Sequence, residues 1–190
     1  MNKDLADVFG NLVNRCLRFA ASRFEGRVPG GGEPGAREAA LAAELDRRLD
    51  ALRRHHEDLE FRKAAAETRA VWAAANAYLA DAAPWTAIRS DPDAAALATR
   101  TGLALLRLCA TIAWPIIPDT AATVLRALGD CAVIPPWPDR PAAELLAALS
   151  PGNPVSTPGI LVRKITESEV PALEERFGAA ASAVTPGADA

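Results

Sequence analysis

Between residues 4 and 24 the apolar side chains Leu5, Val8, Phe9, Leu12, Cys16, Phe19 and Ala20 recur at spacings of three and four, which predicts one helix with a single buried face. At 100° per residue the opposite side gathers Asp4, Asp7, Asn11, Arg15, Arg18 and Ser22 into a narrow polar stripe. Gly26 ends this helix, and the run from Pro29 to Gly35 predicts a loop with a mobile tip. A second helix is expected from Glu38 to Asp58, with Leu41, Leu45, Leu49 and Leu52 on one side and Glu44, Arg47, Arg48 and Arg54 on a solvated one. The third pattern, Leu59 to Ala82, opens its apolar face at Phe61 and continues through Ala65, Val71, Trp72, Ala75 and Leu79, stopping ahead of Pro84. Asp91-Pro92-Asp93 offers an acidic cap and a first-turn proline for a fourth helix reaching Trp114. Pro115 and Pro118 interrupt, Asp119-Thr120 restart, and Val124, Leu125 and Leu128 complete a fifth helix before Gly129.

Beyond residue 130 the texture changes to Pro135-Pro136-Trp137-Pro138, an Ala/Leu stretch from Pro141 to Leu149, and a second cluster of proline and glycine up to Gly159. The expected organisation is a helical bundle over 1–130, a wrapping segment with short helices over 131–178, and a flexible tail over 179–190. Ile160-Leu161-Val162 is expected to add a short strand and Glu167 to Phe177 a last helix. Composition agrees with an all-α domain: 43 Ala against 10 Val, 7 Ile and a single Tyr favour helix over sheet. With 50% apolar and 24% charged residues and a net charge of −3, neither a disordered chain nor a generally basic nucleic-acid coat fits. The start, Met1-Asn2-Lys3-Asp4, has no apolar core of a secretory signal, and the uncharged stretch Leu108 to Pro118 is about half of the roughly 20 residues of a membrane span. A soluble, cytoplasmic protein without membrane partners is therefore expected. Cys16, Cys109 and Cys131 are widely spaced and odd in number, so they are expected to be buried thiols rather than disulfides or metal ligands.

Candidate chemistry is sparse. There is no glycine-rich phosphate loop, no C-x-x-C and no H-E-x-x-H, and His55 and His56 are adjacent, which points them about 100° apart on a helix and away from joint chelation. Acid pairs such as Glu57-Asp58 and Glu174-Glu175 lie in charged helical stretches that need no catalytic explanation. Two constellations rise above this background. In Gly10-Asn11-Leu12-Val13-Asn14-Arg15 an amide and a guanidinium stand four residues apart, a pair of hydrogen-bonding forks suited to base edges and phosphates, or simply a polar helix face. In Ala83-Pro84-Trp85 a rigid turn holds a tryptophan, either as a core aromatic or as a platform for an unpaired base, worth about 1–3 kcal/mol per base. Trp72 and Trp114, inside apolar helical patterns, read as core. Residues 1–30 carry five bases, Lys3, Arg15, Arg18, Arg23 and Arg27, against three acids, so this end is locally positive on an acidic chain.

In order along the chain, Asn2 to Arg15, Phe24-Glu25-Gly26, Phe61-Arg62-Lys63-Ala64, Ala75-Asn76-Ala77-Tyr78-Leu79, Ala83-Pro84-Trp85, Pro115-Ile116-Ile117-Pro118 and Gly159 to Ile165 resemble the C-terminal, anticodon-binding helical domain of methionyl-tRNA synthetase. The resemblance implies an antiparallel five-helix bundle of the class I synthetase type, with an extended Pro-rich C-terminal segment and a short final helix. It also implies that Asn11 and Arg15 face the anticodon of methionine tRNA and that Trp85 stacks on its first base with Pro84 alongside; Arg18, in the same basic stretch, is expected to join them as an RNA-binding residue on the ground of its charge. An acidic residue common in that family five positions before the tryptophan is here Ala80, with Asp81 next to it. The family's catalytic domain, with its H-I-G-H-type and K-M-S-K-S-type signatures and zinc knuckle, is not in this sequence. Metal, ATP and methionine sites are therefore not expected here. The chain alone is expected to bind the anticodon loop and to leave aminoacylation to a separate catalytic domain or chain. The rival expectation is a synthetase-derived protein-interaction or scaffold bundle without RNA binding, with an unrelated enzyme site between helices as a third.

Overall fold

The computed structural model describes residues 2–130 and 134–178. It is all-α. A π-helical segment, Asn2–Gly10, runs into α1 (Asn11–Arg23), followed by α2 (Ala36–Glu57), α3 (Phe61–Ala82), the one-turn α4 (Pro84–Ala87), α5 (Pro92–Ala113), α6 (Pro118–Ala127), the short α7 (Ala142–Ala147), a 3-10 turn (Glu167–Glu169) and α8 (Val170–Gly178). The expected helices are present within a few residues of their predicted ends, because the caps that set those ends are local. Asp91 accepts a hydrogen bond from the Ala94 N–H at 2.9 Å with Pro92 in the first turn of α5.

Helix α5 is the axis of the bundle. Fifteen of its 22 residues are buried, and it packs against α1, α3, α4, α6 and α7. By length and composition it could cross a membrane, but 83% of its most apolar window is covered by the rest of the molecule. Gly102 lets this helix come close: a Cβ there would lie 3.0 Å from Leu79 Cδ2 and 3.2 Å from Cys16 Sγ. Contacts fix the directions of the helices. Arg37 pairs with Asp81 and Arg48 with Glu67, so α2 and α3 run antiparallel. Trp72 Nε1 donates to the Cys109 carbonyl at 3.4 Å and Leu79 meets Gly102, so α3 and α5 do too. The first helix instead runs alongside α3 in the same direction, through the Asp4–Arg69 ion pair and the stack of Phe9 on Trp72 at 4.8 Å.

Four expectations are corrected. The first helix is π-helical up to Gly10, and the Val8 carbonyl there receives the Asn76 side-chain amide at 3.3 Å. Phe61 does not open the apolar face of α3; it is 63% exposed, because the face that meets α5 begins at Ala64. The 29–35 loop is not a free tip: the Arg100 guanidinium donates to the carbonyls of Pro29, Gly31 and Gly32, and Gly32 sits where a Cβ would be 2.5 Å from the Asp93 carbonyl. Ile160-Leu161-Val162 forms no strand, since no strand edge lies beside it; among the described residues the β-type pairing is a single bridge, Arg27 to Pro154.

Around that bridge the Pro-rich segment lies across the α1–α2 connection. Val28 N–H donates to the Asn153 carbonyl, Val155 N–H to Gly26, and Ser156 N–H to Ala127, each at 2.8 Å. Helix α7 is capped from α2, where Asp46 accepts the Ala142 N–H at 2.7 Å. Cys16 and Cys109 are buried thiols; burial pushes Cys16 up to about 12 and Cys109 higher still, so neither is reactive. Cys131 and the 179–190 tail lie outside the described residues.

Candidate nucleic-acid interface

Trp85 is placed by a short chain of local causes. Helix α3 ends when Ala83 takes the left-handed conformation (φ 38°, ψ 57°), which costs a residue with a Cβ about 1–2 kcal/mol. Its N–H still closes α3 onto the Leu79 carbonyl at 3.1 Å, while its own carbonyl starts α4 by accepting from Thr86 and Ala87. Pro84 then fits the first position of the new helix, where its missing N–H is not needed, and it is buried. The result is a sharp corner that turns Trp85 outward with 36% of its surface exposed.

That corner faces α1. The Arg15 guanidinium carbon lies 4.2 Å from the centroid of the Trp85 ring, a cation–π stack. Asn11 stands one turn before Arg15 and Arg18 one turn after it, both exposed. Among the described residues none of Asn11, Arg15 and Arg18 pairs with an acid. The structure thus brings Arg15, Pro84 and Trp85 together directly and sets Asn11 and Arg18 on the same stretch of helix. Trp72 is core and Trp114 half-buried against it, in keeping with their patterns. His55 Nδ1 lies 2.8 Å from Glu60 Oε2, and His56 meets the Trp137 ring edge-on, so the two histidines do not converge.

The surroundings of the corner contain features that periodicity passes over. Arg89, four residues beyond Trp85, is exposed and has no acid partner among the described residues; its signal in the sequence is that spacing alone. Asp81, one turn before the corner, is drawn to α2 by Arg37 at 2.6 Å, while Ala80 is exposed. Deeper in, Glu38 is only 8% exposed, yet both oxygens are satisfied: Tyr78 Oη donates to Oε1 at 2.8 Å and the Gly35 N–H to Oε2 at 2.9 Å. Burial by itself would raise this carboxyl, but the bonds from Gly35, Tyr78 and its own N–H, with the Arg37 charge, hold it below the usual carboxylate range. Burial pushes the Tyr78 phenol up, so it remains a donor. This buried pair ties the start of α2 to the end of α3, the helix from which the corner projects.

The fold defines an all-α bundle domain in which a tryptophan corner after α3 faces Arg15 of α1. Residues 28–182 match the family described as the anticodon binding domain of methionyl tRNA ligase, and the chain belongs to that family. The matched span contains Pro84 and Trp85 and begins after Asn11, Arg15 and Arg18. Methionine--tRNA ligase of Maricaulis maris is 48% identical over 184 residues, 96% of this chain and 32% of that protein. The corresponding ligase of Caulobacter vibrioides is 44% identical over 180 residues, 95% of this chain and 32% of that protein. The fold is similar to Mycobacterium tuberculosis methionyl-tRNA synthetase in its apo form, with a TM-score of 0.73 and 27% identity over 87% of this chain and 33% of the other. The chain therefore spans about a third of the length of the curated relatives it matches.

Proposed function

We propose that this chain is a tRNA-binding module and that the face built from Asn11, Arg15, Arg18, Pro84 and Trp85 receives the anticodon loop of methionine tRNA. The observation that carries the reading is the Arg15–Trp85 contact at 4.2 Å, which sets a base-stacking ring and a guanidinium fork at one point of the surface. Single-stranded RNA is read by splaying its bases, stacking them on aromatic rings and hydrogen-bonding their edges, and these residues supply each element. Trp85 offers the π-face, Asn11 an amide that both donates and accepts, and Arg15 and Arg18 charge for phosphates. Arg89, exposed beyond Trp85, extends the positive surface.

Within a longer synthetase, contact energy gained at the anticodon would be used to hold the acceptor end at a separate catalytic domain, where ATP and methionine bind. This chain alone contributes recognition. The test is a titration of the protein with methionine tRNA and with an anticodon variant at two salt concentrations. Tighter, salt-sensitive binding of methionine tRNA is the expected result. Equal binding of both RNAs removes anticodon reading and leaves a general RNA binder. No binding of either favours a protein-interaction bundle.

A further inference from the structure

The guanidinium that marks the site also covers it. Arg15 lies over Trp85, 4.2 Å from guanidinium carbon to ring centroid, near enough to occupy one face of the indole. Stacking needs such a face, so a nucleobase arriving on that side meets the guanidinium before it meets the ring. No carboxylate among the described residues holds Arg15 in place; the ring is its partner. Resting on the anticodon-loop reading above, we propose that Arg15 is a latch: it closes the stacking face of Trp85 in the RNA-free protein, and an incoming base displaces it.

The exchange is favourable by type of contact. An exposed cation–π pair is weaker than base–aromatic stacking, and a displaced Arg15 recovers its five N–H donors for phosphate oxygens or base edges, where charge-assisted hydrogen bonds form. Asn11, one turn earlier on α1, is placed to take the edge of the base that replaces it. The latch keeps an exposed indole shielded until RNA arrives. It also makes stacking on Trp85 depend on a ligand that can compensate Arg15, namely one that brings phosphate with its bases.

The contact favours the closed form about two- to five-fold, so closure weakens binding of a ligand that only stacks by roughly three- to six-fold. Three measurements on the full chain test this. The first is acrylamide quenching of the Trp85 component, taken as the difference between the protein and its Trp85→Phe variant. Arg15→Ala should raise the quenching constant of that component roughly two-fold. The second is binding of an uncharged methylphosphonate C-A-U trimer, which Arg15→Ala should tighten roughly three- to six-fold. The third is binding of an ordinary anticodon stem-loop, which the same substitution should weaken. Circular dichroism of each variant, with Arg15→Lys as a second substitution, separates these effects from loss of fold. Unchanged quenching, with the stem-loop still bound by the unaltered protein, overturns the latch alone. Raised quenching without tighter trimer binding overturns displacement by a base. Binding of neither RNA by the unaltered protein overturns the anticodon reading and the latch together.

Discussion

At the scale of single residues, the site depends on an aromatic ring that the backbone forces outward. Trp85 is too exposed to be a main support of the core and too well held to be a free side chain. Trp85→Ala is therefore expected to lose about 1–3 kcal/mol of tRNA affinity, measured by titration, with the helical circular dichroism signal unchanged. Glu38 and Tyr78 act differently, through the core. Tyr78→Phe leaves a buried carboxylate with one hydrogen bond fewer, and a loss of about 1–3 kcal/mol in urea unfolding at pH 7 is expected. The sign of its pH dependence follows from the lowered Glu38 carboxyl: its stabilisation is complete above the unfolded pKa of about 4.3 and is lost as pH falls through the lower folded value. The gap between the protein and Tyr78→Phe should accordingly narrow toward pH 3, because a protonated carboxyl needs the hydroxyl less.

Among elements, the interlocking of α1, α3 and α5 governs how the two halves of the site meet. Arg15 is on α1 and Trp85 follows α3, and both helices rest on α5 at Gly102, where an added Cβ would come within 3.0 Å of Leu79 and 3.2 Å of Cys16. Gly102→Val should overfill that junction and destabilise the protein by about 1–3 kcal/mol in denaturant unfolding. The loop between α1 and α2 is held from the side by α5. Arg100→Ala removes three donors from its carbonyls, and faster cleavage within residues 28–35 under limited proteolysis, with the helical content retained, is the expected outcome. Sequence pattern reads these elements well but their couplings poorly. The leucines of α2 at 41, 45, 49 and 52 declare a buried face by spacing alone, and all four are buried. Nothing in the spacing of Gly31, Gly32 and Arg100 announces that the last will hold the first two, because the contact spans 69 and 68 positions of chain.

For the molecule as a whole, charge is unevenly spread, with five bases against three acids in residues 1–30. The chain has a net charge of −3, while Arg15 lies over the Trp85 ring and Arg18 and Arg89, a turn beyond Arg15 and Trp85 respectively, are exposed with no acid partner among the described residues. On the reading proposed above, such a surface would bind RNA at a few phosphates without attracting nucleic acid over the entire molecule. The plot of log affinity against log salt for the tRNA is expected to have a slope of about −2 to −3, and Arg18→Gln should reduce its magnitude by about one unit. A slope near zero in the unaltered protein would remove the electrostatic part of the proposal.

The sequence by itself determined the elements: periodicity, proline, glycine and caps fix where each helix starts and stops, since these act within a turn or two of backbone. It also marked the residue types able to bind RNA, an amide and a guanidinium four apart and a tryptophan after a proline. Only the tertiary structure decided that Arg15 and Trp85, 70 positions apart, touch, that Phe61 is exposed, and that Ile160 to Val162 has no strand among the described residues to join. Contacts between distant segments depend on how whole helices pack about α5, and packing is settled by the complementary shape of many side chains together, which no local pattern encodes.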